Sequence, residues 1–244
     1  MPLQLFTAQV EGVRDLTHDV RELRLRLLEP QAIAFKAGQF ASFEVPHPRF
    51  PRPATRAYSI ASPPSQRDRV TLLFNLVPGG PGSTYLFSLK EGDRTQFKGP
   101  AGTFYLRDEP ARDLLFVATG TGIAPLRSML LDRFERGFAR SVTLFWGLRS
   151  QRDLYYQDEL ERLAKERPNF SYVTTLSRPE AGWTGRVGRV TKLVEERVAS
   201  VDQLAAYLCG NSGMIKDVTA IIGGRGLCPI HREKWYDDTG EEAL

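Results

Sequence analysis

An arginine, an aromatic ring and a hydroxyl group lie within the four consecutive residues RAYS, residues 56–59. In a β-strand, residues two apart point to the same face, so we expect Arg56 and Tyr58 to lie side by side while Ala57 points away. A strand that was only buried in a protein core would need no more than aliphatic residues at alternate positions. The combination of a cation, a flat ring and the hydroxyl of Ser59 therefore predicts a strand that binds a ligand.

A glycine-rich loop, VPGGPGSTYLF, leads into a predicted helix that begins at Ser83. Glycine lets a ligand approach the backbone, and the first N–H groups of a helix attract anions. A hairpin loop followed by a packing helix would have the same composition, because such turns are rich in Gly and Pro. Taken alone, this loop leaves both interpretations open.

A second glycine loop, ATGTGIAPLRSML, links a buried strand to a helix through Gly120 and Gly122. It resembles a dinucleotide loop, although a strand-to-helix turn can also need glycine for steric reasons alone. Pro125 stands where the third glycine of the G-x-G-x-x-G pattern would be. We therefore expect any dinucleotide to lie differently from one bound by that pattern.

The run YLCGNSGM reads as a strand that ends at Cys209 and Gly210, directly before a helix. Alone, a cysteine is more often a small buried apolar residue than a reactive thiol. In an open α/β sheet, however, the ligand crevice lies outside the carboxyl ends of the strands. The position of these two residues therefore favours a place in a binding site.

Residues 3–107 carry short runs in which apolar and charged residues alternate, separated by Gly and Pro. In VRELRLRLLEP, Leu23, Leu25 and Leu27 alternate with charged neighbours, and GQFASFEVP, RVTLLFNLVP and DRTQFKGP follow. Alternation with a period of two is typical of half-buried strands. This half of the chain predicts an antiparallel Greek-key β-barrel with one helix.

From Asp113 onward the pattern changes to strand, loop and long helix. LLFVATG, SVTLFWG, FSYVTTL and AAYLCG read as strands. Between them lie helical stretches such as DLYYQDELERLAKERP, which we expect to be capped by Asp153 and to end before Pro168. This alternation predicts a Rossmann-like parallel sheet with helices on both faces.

The boundary between the two halves is expected near RDEPARD, residues 107–113, because Pro and charges interrupt both periods there. We therefore expect a barrel domain over residues 1–108 and an α/β domain over residues 109–236. The closing DDTGEEAL, residues 237–244, reads as an acidic tail.

Composition excludes several classes of function. The net charge of +4 comes from basic residues spread through the chain, so no nucleic-acid-binding stripe is predicted. Two cysteines are too few for an iron–sulfur cluster, and the three histidines are scattered, so no metal site is expected. We see neither a signal peptide nor an apolar run of about 20 residues that could span a membrane. A cytoplasmic protein is expected.

Six motifs together resemble the ferredoxin–NADP reductase superfamily of flavoenzymes. They are RAYS, GGPGSTYL, FKGPAGTFYL, GTGIAP, YLCGN and EKW, in the family's order over residues 3–236. In pattern the chain is similar to the reductase modules of bacterial oxygenases, without an iron–sulfur domain. The resemblance implies a barrel domain that binds FAD and an α/β domain that binds NAD(P)H.

The resemblance also implies roles for the flavin-domain residues. Arg56 contacts the flavin diphosphate, Tyr58 packs against the flavin and bonds its ribityl chain, and Ser59 lies near flavin N5, which accepts hydride. The whole segment with Ala57 belongs to this site, and the helix start at Gly82, Ser83 and Thr84 caps the diphosphate. FMN in place of FAD remains an alternative.

In the second half, the resemblance assigns the pyridine nucleotide to residues Gly120, Thr121, Gly122 and Pro125. Cys209 and Gly210 line the nicotinamide pocket beside the flavin. Trp235 lies where the family places a terminal aromatic residue on the other flavin face, and Glu233 occupies an acidic position near the same ring. Ser59, Cys209, Glu233 and Trp235 are the expected catalytic residues.

The preference for NADP(H) or NAD(H) depends on which side chain lies near the 2′ position of the adenosine ribose. An acidic residue would bond a free hydroxyl, and an arginine would pair with a phosphate. The loops GLRSQRD and LSRPEAGWTGR offer arginines without an acid at the key point, and Ser177 with Arg178 resembles the family's phosphate-binding pair. With Arg186 nearby, we expect NADP(H) to be preferred over NAD(H).

The expected activity is hydride transfer from NAD(P)H to FAD, followed by one-electron transfer to a separate ferredoxin, flavodoxin or oxygenase component. A small acidic carrier would suit the net charge of +4. Three alternatives stay open: a free-flavin reductase, a nucleotide-binding subunit of a larger redox complex, and an unrelated barrel fused to a Rossmann-like module.

Overall fold

The computed structural model describes residues 3–46, 53–109 and 111–236. Contacts between residues divide the chain into two units, residues 1–106 with 127–133, and residues 107–126 with 134–244. Because this division takes part of one helix into the first unit, the predicted domains 1–108 and 109–236 stay a prediction. The predicted acidic tail, residues 237–244, lies outside the described residues.

The first unit contains an antiparallel six-stranded sheet with the order β4-β3-β6-β1-β2-β5. Just past the end of β4, Ile60 forms an antiparallel bridge with Leu72 of β5, which joins the two ends of this order. The expected barrel is thereby confirmed. Its elements are β1 (Gln4–Asp15), β2 (Val20–Glu29), β3 (Phe40–Val45), β4 (Ala54–Ser59), β5 (Arg69–Asn75), α1 (Pro81–Ser88) and β6 (Arg94–Ala101).

Alternating side chains fill the barrel. Leu23 and Leu25 of β2 are fully buried, whereas Arg24 and Arg26, which alternate with them, are exposed. At the centre, the Phe97 ring stacks on Phe6 with centroids 5.1 Å apart and contacts Phe43 at 5.6 Å. These rings join β1, β3 and β6 into one core and so fix the strand that precedes the RAYS segment.

The second unit contains a parallel six-stranded sheet with the order β10-β9-β8-β7-β11-β12. The Rossmann-like part of the predicted fold is thereby confirmed. The elements after the barrel are β7 (Asp113–Thr119), α2 (Ile123–Glu135), β8 (Val142–Leu148), α3 (Gln157–Glu166), β9 (Phe170–Leu176), β10 (Arg186–Val187), α4 (Val190–Arg197), β11 (Leu204–Asn211), α5 (Ser212–Gly223) and β12 (Ile230–Tyr236), with 3₁₀ turns at Gly120–Gly122 and Gln151–Asp153.

The order of these strands creates a switch point between β7 and β11. The chain runs outward from β7 through β8 to β9, and then returns to the other side of β7 with β11 and β12. Ligands of open α/β sheets bind outside the carboxyl ends of the strands at such a point. Here those ends carry the 3₁₀ turn Gly120–Gly122 and the Cys209–Gly210 pair.

Two predicted helix starts are wrong. The helix expected to begin at Ser83 begins at Pro81, since the fixed φ of proline suits a first helical turn. The helix expected to be capped by Asp153 begins at Gln157. Asp153 instead closes a capping box with Ser150 around its own 3₁₀ turn, accepting hydrogen bonds from the Ser150 N–H (2.7 Å) and hydroxyl (2.9 Å).

Among the helices of the described residues, none combines the length and apolar character that crossing a bilayer requires. The cytoplasmic location stays a prediction.

The ring cluster at the barrel centre yields a stability prediction. Because Phe97 is 1% exposed, Phe97→Ala should lower the free energy of unfolding by about 3–5 kcal/mol through lost burial and the cavity left behind. Urea denaturation followed by near-UV circular dichroism measures this. Leu5→Ala removes a side chain that is 50% exposed and should cost no more than about 0.5 kcal/mol. Equal losses in the two variants would contradict this account of the core.

Candidate functional site

One candidate binding site is formed where α1 begins against β4. A Cβ atom added to Gly82 would lie 2.4 Å from the Tyr58 hydroxyl oxygen and 2.7 Å from Cγ of Arg56. Arg56 and Tyr58 therefore share one face of β4, as their spacing predicts, and only glycine lets the helix start approach that face. The first N–H groups of α1, which have no acceptor within the helix, are thereby placed beside Arg56.

The hydroxyl groups at this helix start are used differently from each other. The Ser83 side chain is 1% exposed, and its Oγ accepts the Val77 N–H at 3.0 Å and lies 3.3 Å from the Gly80 carbonyl. The N–H of Thr84 donates to the same carbonyl, while its side chain is exposed. Ser83 thus closes the loop with its side chain. An anion at this helix start would therefore meet backbone N–H groups rather than the Ser83 hydroxyl.

The Tyr58 ring is anchored in the barrel core. It is 5% exposed and meets Phe43 and Phe74 edge-on, with centroids 5.8 Å and 5.3 Å away. Edge-to-face pairs at such distances add stability beyond the buried area. Between Arg56 and Tyr58, Ala57 pairs with Ser42 of β3. The orientation of the RAYS strand is therefore set by its neighbours.

Ser59 is the most informative residue of this strand. It is 2% exposed, and its Oγ has no hydrogen-bond partner among the described residues. A buried hydroxyl without a partner costs about 1–3 kcal/mol. A polar ligand atom at this position would remove that cost.

These features fit a flavin dinucleotide. The Ser59 hydroxyl offers a hydrogen bond to a ring atom, while Arg56 and the start of α1 offer positive charge and N–H groups to a diphosphate. The residues present are therefore suited to FAD.

A second candidate binding site is formed by the ends of β7 and β11. A Cβ atom on Gly122 would lie 2.3 Å from the Cys209 carbonyl oxygen and 2.9 Å from Cα of Gly210. Gly210 has a φ of +138°, and a Cβ there would lie 2.2 Å from the Thr119 hydroxyl. The glycines thus let the two strand ends approach backbone to backbone, which is a packing role that does not exclude a binding role.

The other residues of the glycine loop after β7 lie in the turn and in the first turn of the helix that follows it. Thr121 is half-buried within the 3₁₀ turn, next to Gly120, whose φ is +51°. Pro125 is buried in the first turn of α2, where the missing N–H costs no hydrogen bond within the helix. The departure from the third glycine is therefore compatible with an intact helix start.

Asn211 was expected to open the helix after β11, whereas Thr119 and Trp146, which also stabilise this region, were not identified from the sequence. The Thr119 hydroxyl accepts the Asn211 N–H at 2.9 Å, and the Asn211 side chain caps α5 by accepting the Gly213 N–H at 2.9 Å. The Trp146 indole N–H donates to the Gly120 carbonyl at 3.0 Å. A tryptophan inside a buried strand is a usable signal, because its N–H needs an acceptor.

The expected catalytic residues Cys209, Glu233 and Trp235 lie on the neighbouring strands β11 and β12. Cys209 is fully buried on β11 and pairs in register with Ala118 of β7 and Glu233 of β12. The structure therefore brings Cys209 and Glu233 together at the carboxyl edge of the sheet. Trp235 follows two residues later in β12.

The arginines expected at the ribose 2′ position differ in their surroundings. Arg178 is exposed and forms no ion pair with any residue that the structure describes, and Ser177 beside it is also exposed. Arg186 forms an ion pair with Glu196 of α4. Of these two arginines, Arg178 could therefore receive a phosphate without first breaking an ion pair, whereas Arg186 could not.

Two family models match the chain. The oxidoreductase FAD-binding domain matches residues 7–105, and the oxidoreductase NAD-binding domain matches residues 116–220. The matched ranges contain the RAYS strand with α1 and the glycine loop with β11, respectively. The two candidate sites thus lie in a flavin-binding and a nucleotide-binding domain, respectively.

Similar proteins include two kinds of reductase. The phenol 2-monooxygenase reductase component DmpP of Pseudomonas sp. (strain CF600) is 36% identical over 99% of this chain and 69% of its own length. Ferredoxin–NADP reductase B of Sorangium cellulosum (strain So ce56) is 37% identical over 94% of this chain and 97% of its own length.

A solved structure supports the same relationship. The Amycolatopsis cytochrome P450 reductase GcoB superposes with a TM-score of 0.86 at 32% identity, over 96% of this chain and 70% of that chain. The chain belongs to the ferredoxin–NADP reductase superfamily and is an FAD-dependent oxidoreductase that uses a pyridine nucleotide.

Proposed function

We propose that this protein oxidises NADPH and passes the electrons, through FAD, one at a time to a small acidic ferredoxin or flavodoxin or to an oxygenase component. The observation that carries the hydride-transfer part is the buried Ser59 hydroxyl, which has no partner among the described residues and lies at the end of the flavin-binding strand. The choice of NADPH and of the carrier rests on charge.

In this proposal, the first unit holds the cofactor by charge and shape. Arg56 neutralises the diphosphate, and the N–H groups of Gly82 and Ser83 donate to it, with the exposed Thr84 hydroxyl nearby. Tyr58 bonds the ribityl chain with its hydroxyl group, while its ring stays fixed in the core. When bound, FAD accepts a hydride from the nicotinamide and releases the two electrons singly.

Four residues act on the reacting rings. Ser59 donates a hydrogen bond to the flavin at N5. Cys209, near the carboxyl end of β11, limits where the nicotinamide lies, and Glu233 provides charge near the flavin ring. Trp235 covers a flavin face and excludes water. Their contribution is orientation and electrostatics, because the cofactor carries the bond-making chemistry.

The pyridine nucleotide lies over the switch point of the parallel sheet. The backbone of Gly120, Thr121 and Gly122 receives its diphosphate, with Pro125 shaping the helix start and Gly210 allowing close approach. Ser177 and Arg178 bind the 2′-phosphate. Arg186 joins them only by exchanging Glu196 for the phosphate, so it contributes less.

A spectrum recorded without oxygen tests the hydride step. One equivalent of NADPH should bleach the visible absorption of the bound flavin. Ser59→Ala should retain FAD but slow this bleaching about tenfold or more, because a hydrogen bond to the reacting atom is lost. Ser88→Ala removes an exposed hydroxyl at the far end of α1 and should leave the rate unchanged. A full rate in Ser59→Ala would refute the role of Ser59.

Nucleotide choice is tested by comparing two arginine variants. Arg178→Ala should raise KM for NADPH about tenfold or more and change KM for NADH less than about twofold, since an arginine–phosphate pair is a strong charge-assisted interaction. Arg186→Ala should raise KM for NADPH less, because Glu196 already holds that guanidinium. Steady-state rates with an artificial acceptor measure both. A wild-type enzyme that favours NADH would contradict the proposed preference.

The nature of the carrier is tested by ionic strength. With a net charge of +4, the protein should reduce an acidic ferredoxin more slowly as salt rises from about 0.05 to 0.5 M, because screening weakens the attraction between charged surfaces. Reduction of a small uncharged quinone is the control and should change little. Salt-insensitive reduction of ferredoxin would count against an acidic carrier, and loss of FAD on dialysis would favour a free-flavin reductase.

A further inference from the structure

We propose that Gln151 is a positioning residue that holds the Arg178 loop in place and thereby sets how strongly the protein prefers NADPH to NADH. The loop is residues 177–185, between β9 and β10. This inference rests on the proposed binding of the 2′-phosphate by Ser177 and Arg178, and it adds a residue from a different loop to that function.

The start of the Arg178 loop is attached to the loop that follows β8. The Ser177 N–H donates to the Leu148 carbonyl at 3.0 Å, and the Arg178 N–H donates to the Arg149 carbonyl at 2.7 Å. The hydrogen bonding between β8 and β9 therefore continues two residues past the ends of the strands. These bonds hold the N–H side of Arg178, while its carbonyl side leads into Pro179 and Glu180.

Beyond Arg178 the backbone ladder stops, and Gln151 takes its place. The Gln151 side-chain amide donates from Nε2 to the Glu180 carbonyl at 2.9 Å. Its Oε1 accepts the Glu180 N–H at 2.8 Å. One side chain thus satisfies both backbone groups of Glu180, as a neighbouring strand would do. Between the two anchored residues only Pro179 intervenes, and its φ is fixed by its ring.

The far end of the same loop is anchored separately. The Trp183 indole N–H donates to the Arg186 carbonyl at 3.0 Å, and the Thr175 hydroxyl donates to the Gly188 carbonyl at 2.8 Å. These contacts do not involve the segment next to Arg178. Loss of the Gln151 contacts should therefore loosen residues 179–182 while both ends of the loop stay attached.

A glutamine is suited to this role by its chemistry. A planar amide has a donor and an acceptor side by side, which matches the C=O and N–H of one residue. A methionine of similar length has neither hydrogen bond, and a glutamate would place a carboxylate oxygen against the Glu180 carbonyl. Arg152 also reaches Glu180, but both side chains are largely exposed, and such an ion pair contributes little.

The physical effect is preorganisation. An arginine that must be ordered on binding loses conformational freedom at that moment, and this lost entropy weakens affinity. An arginine whose backbone is already held loses less. Because only a nucleotide with a 2′-phosphate uses Arg178, loosening the loop should weaken NADPH binding and leave NADH binding almost unchanged.

The test compares Gln151→Met with the wild-type holoenzyme carrying FAD. Calorimetric titration with 2′-phospho-AMP should show binding weakened about tenfold, equivalent to about 1.4 kcal/mol, whereas binding of AMP should change less than about twofold. KM for NADPH should rise in the same proportion with kcat unchanged. Amide exchange of the segment around residue 180 should become faster, since the Glu180 N–H loses its acceptor.

The matched control is Gln9→Met, which removes another glutamine side chain bonded to a backbone carbonyl, in this case that of Gly92. It should change none of these quantities. Equal weakening of AMP and 2′-phospho-AMP by Gln151→Met, or no weakening of either, would overturn the proposal. Arg178→Ala separates the two levels of inference. If it abolishes the preference for 2′-phospho-AMP while Gln151→Met does not alter it, the role of Gln151 fails alone. If neither variant alters it, the proposed phosphate site fails.

Discussion

A close approach that leaves no room for a Cβ atom, and is therefore possible only at glycine, is the constraint on which both binding sites depend. Gly82 lets the start of α1 meet the side chains of Arg56 and Tyr58, and Gly122 lets the turn after β7 meet the Cys209 carbonyl. A Cβ atom at either position would lie within 3 Å of its neighbours. The same approach that packs these elements brings helix N–H groups to the surface where a phosphate can bind them. Packing and binding are therefore not competing explanations of these glycines.

The fold could be predicted from the sequence because its signals are local. Leucines with a period of two in β2 and apolar runs such as that of β7 identify their strands without tertiary information. Helix starts were less predictable. Asp153 is a good capping residue in isolation, but its carboxylate bonds Ser150 instead. The helix begins only after Tyr156, a residue whose own backbone is in the left-handed region. Competition between two local caps is decided by packing, which the sequence does not display.

The motif residues of the binding sites could be predicted from the sequence, whereas the residues that hold them in place by hydrogen bonds could not. The RAYS and glycine-loop residues carry recognisable types and spacing, whereas Trp146 and Gln151 act through hydrogen bonds to residues 26 and 29 positions away. Those distances along the chain have no periodicity to reveal them. The arginines show the same limit: the sequence offers both Arg178 and Arg186, and only the folded position of Glu196 on α4 shows that Arg186 is already paired. Whether an arginine can bind a phosphate without breaking an ion pair thus depends on the fold and not on the composition.

The energetics of Ser59 tie the flavin site to the stability of the barrel. A buried hydroxyl without a partner costs about 1–3 kcal/mol, yet replacing it by alanine would remove a group that a flavin nitrogen can bond. A ligand that binds only the folded state adds stability in proportion to the logarithm of its concentration over Kd. At about a hundredfold excess over Kd, that contribution is about 2.7 kcal/mol, which is comparable to the cost of the unsatisfied group. The strand that binds the cofactor can therefore retain a locally unfavourable residue, because the bound state in which the protein works offsets it.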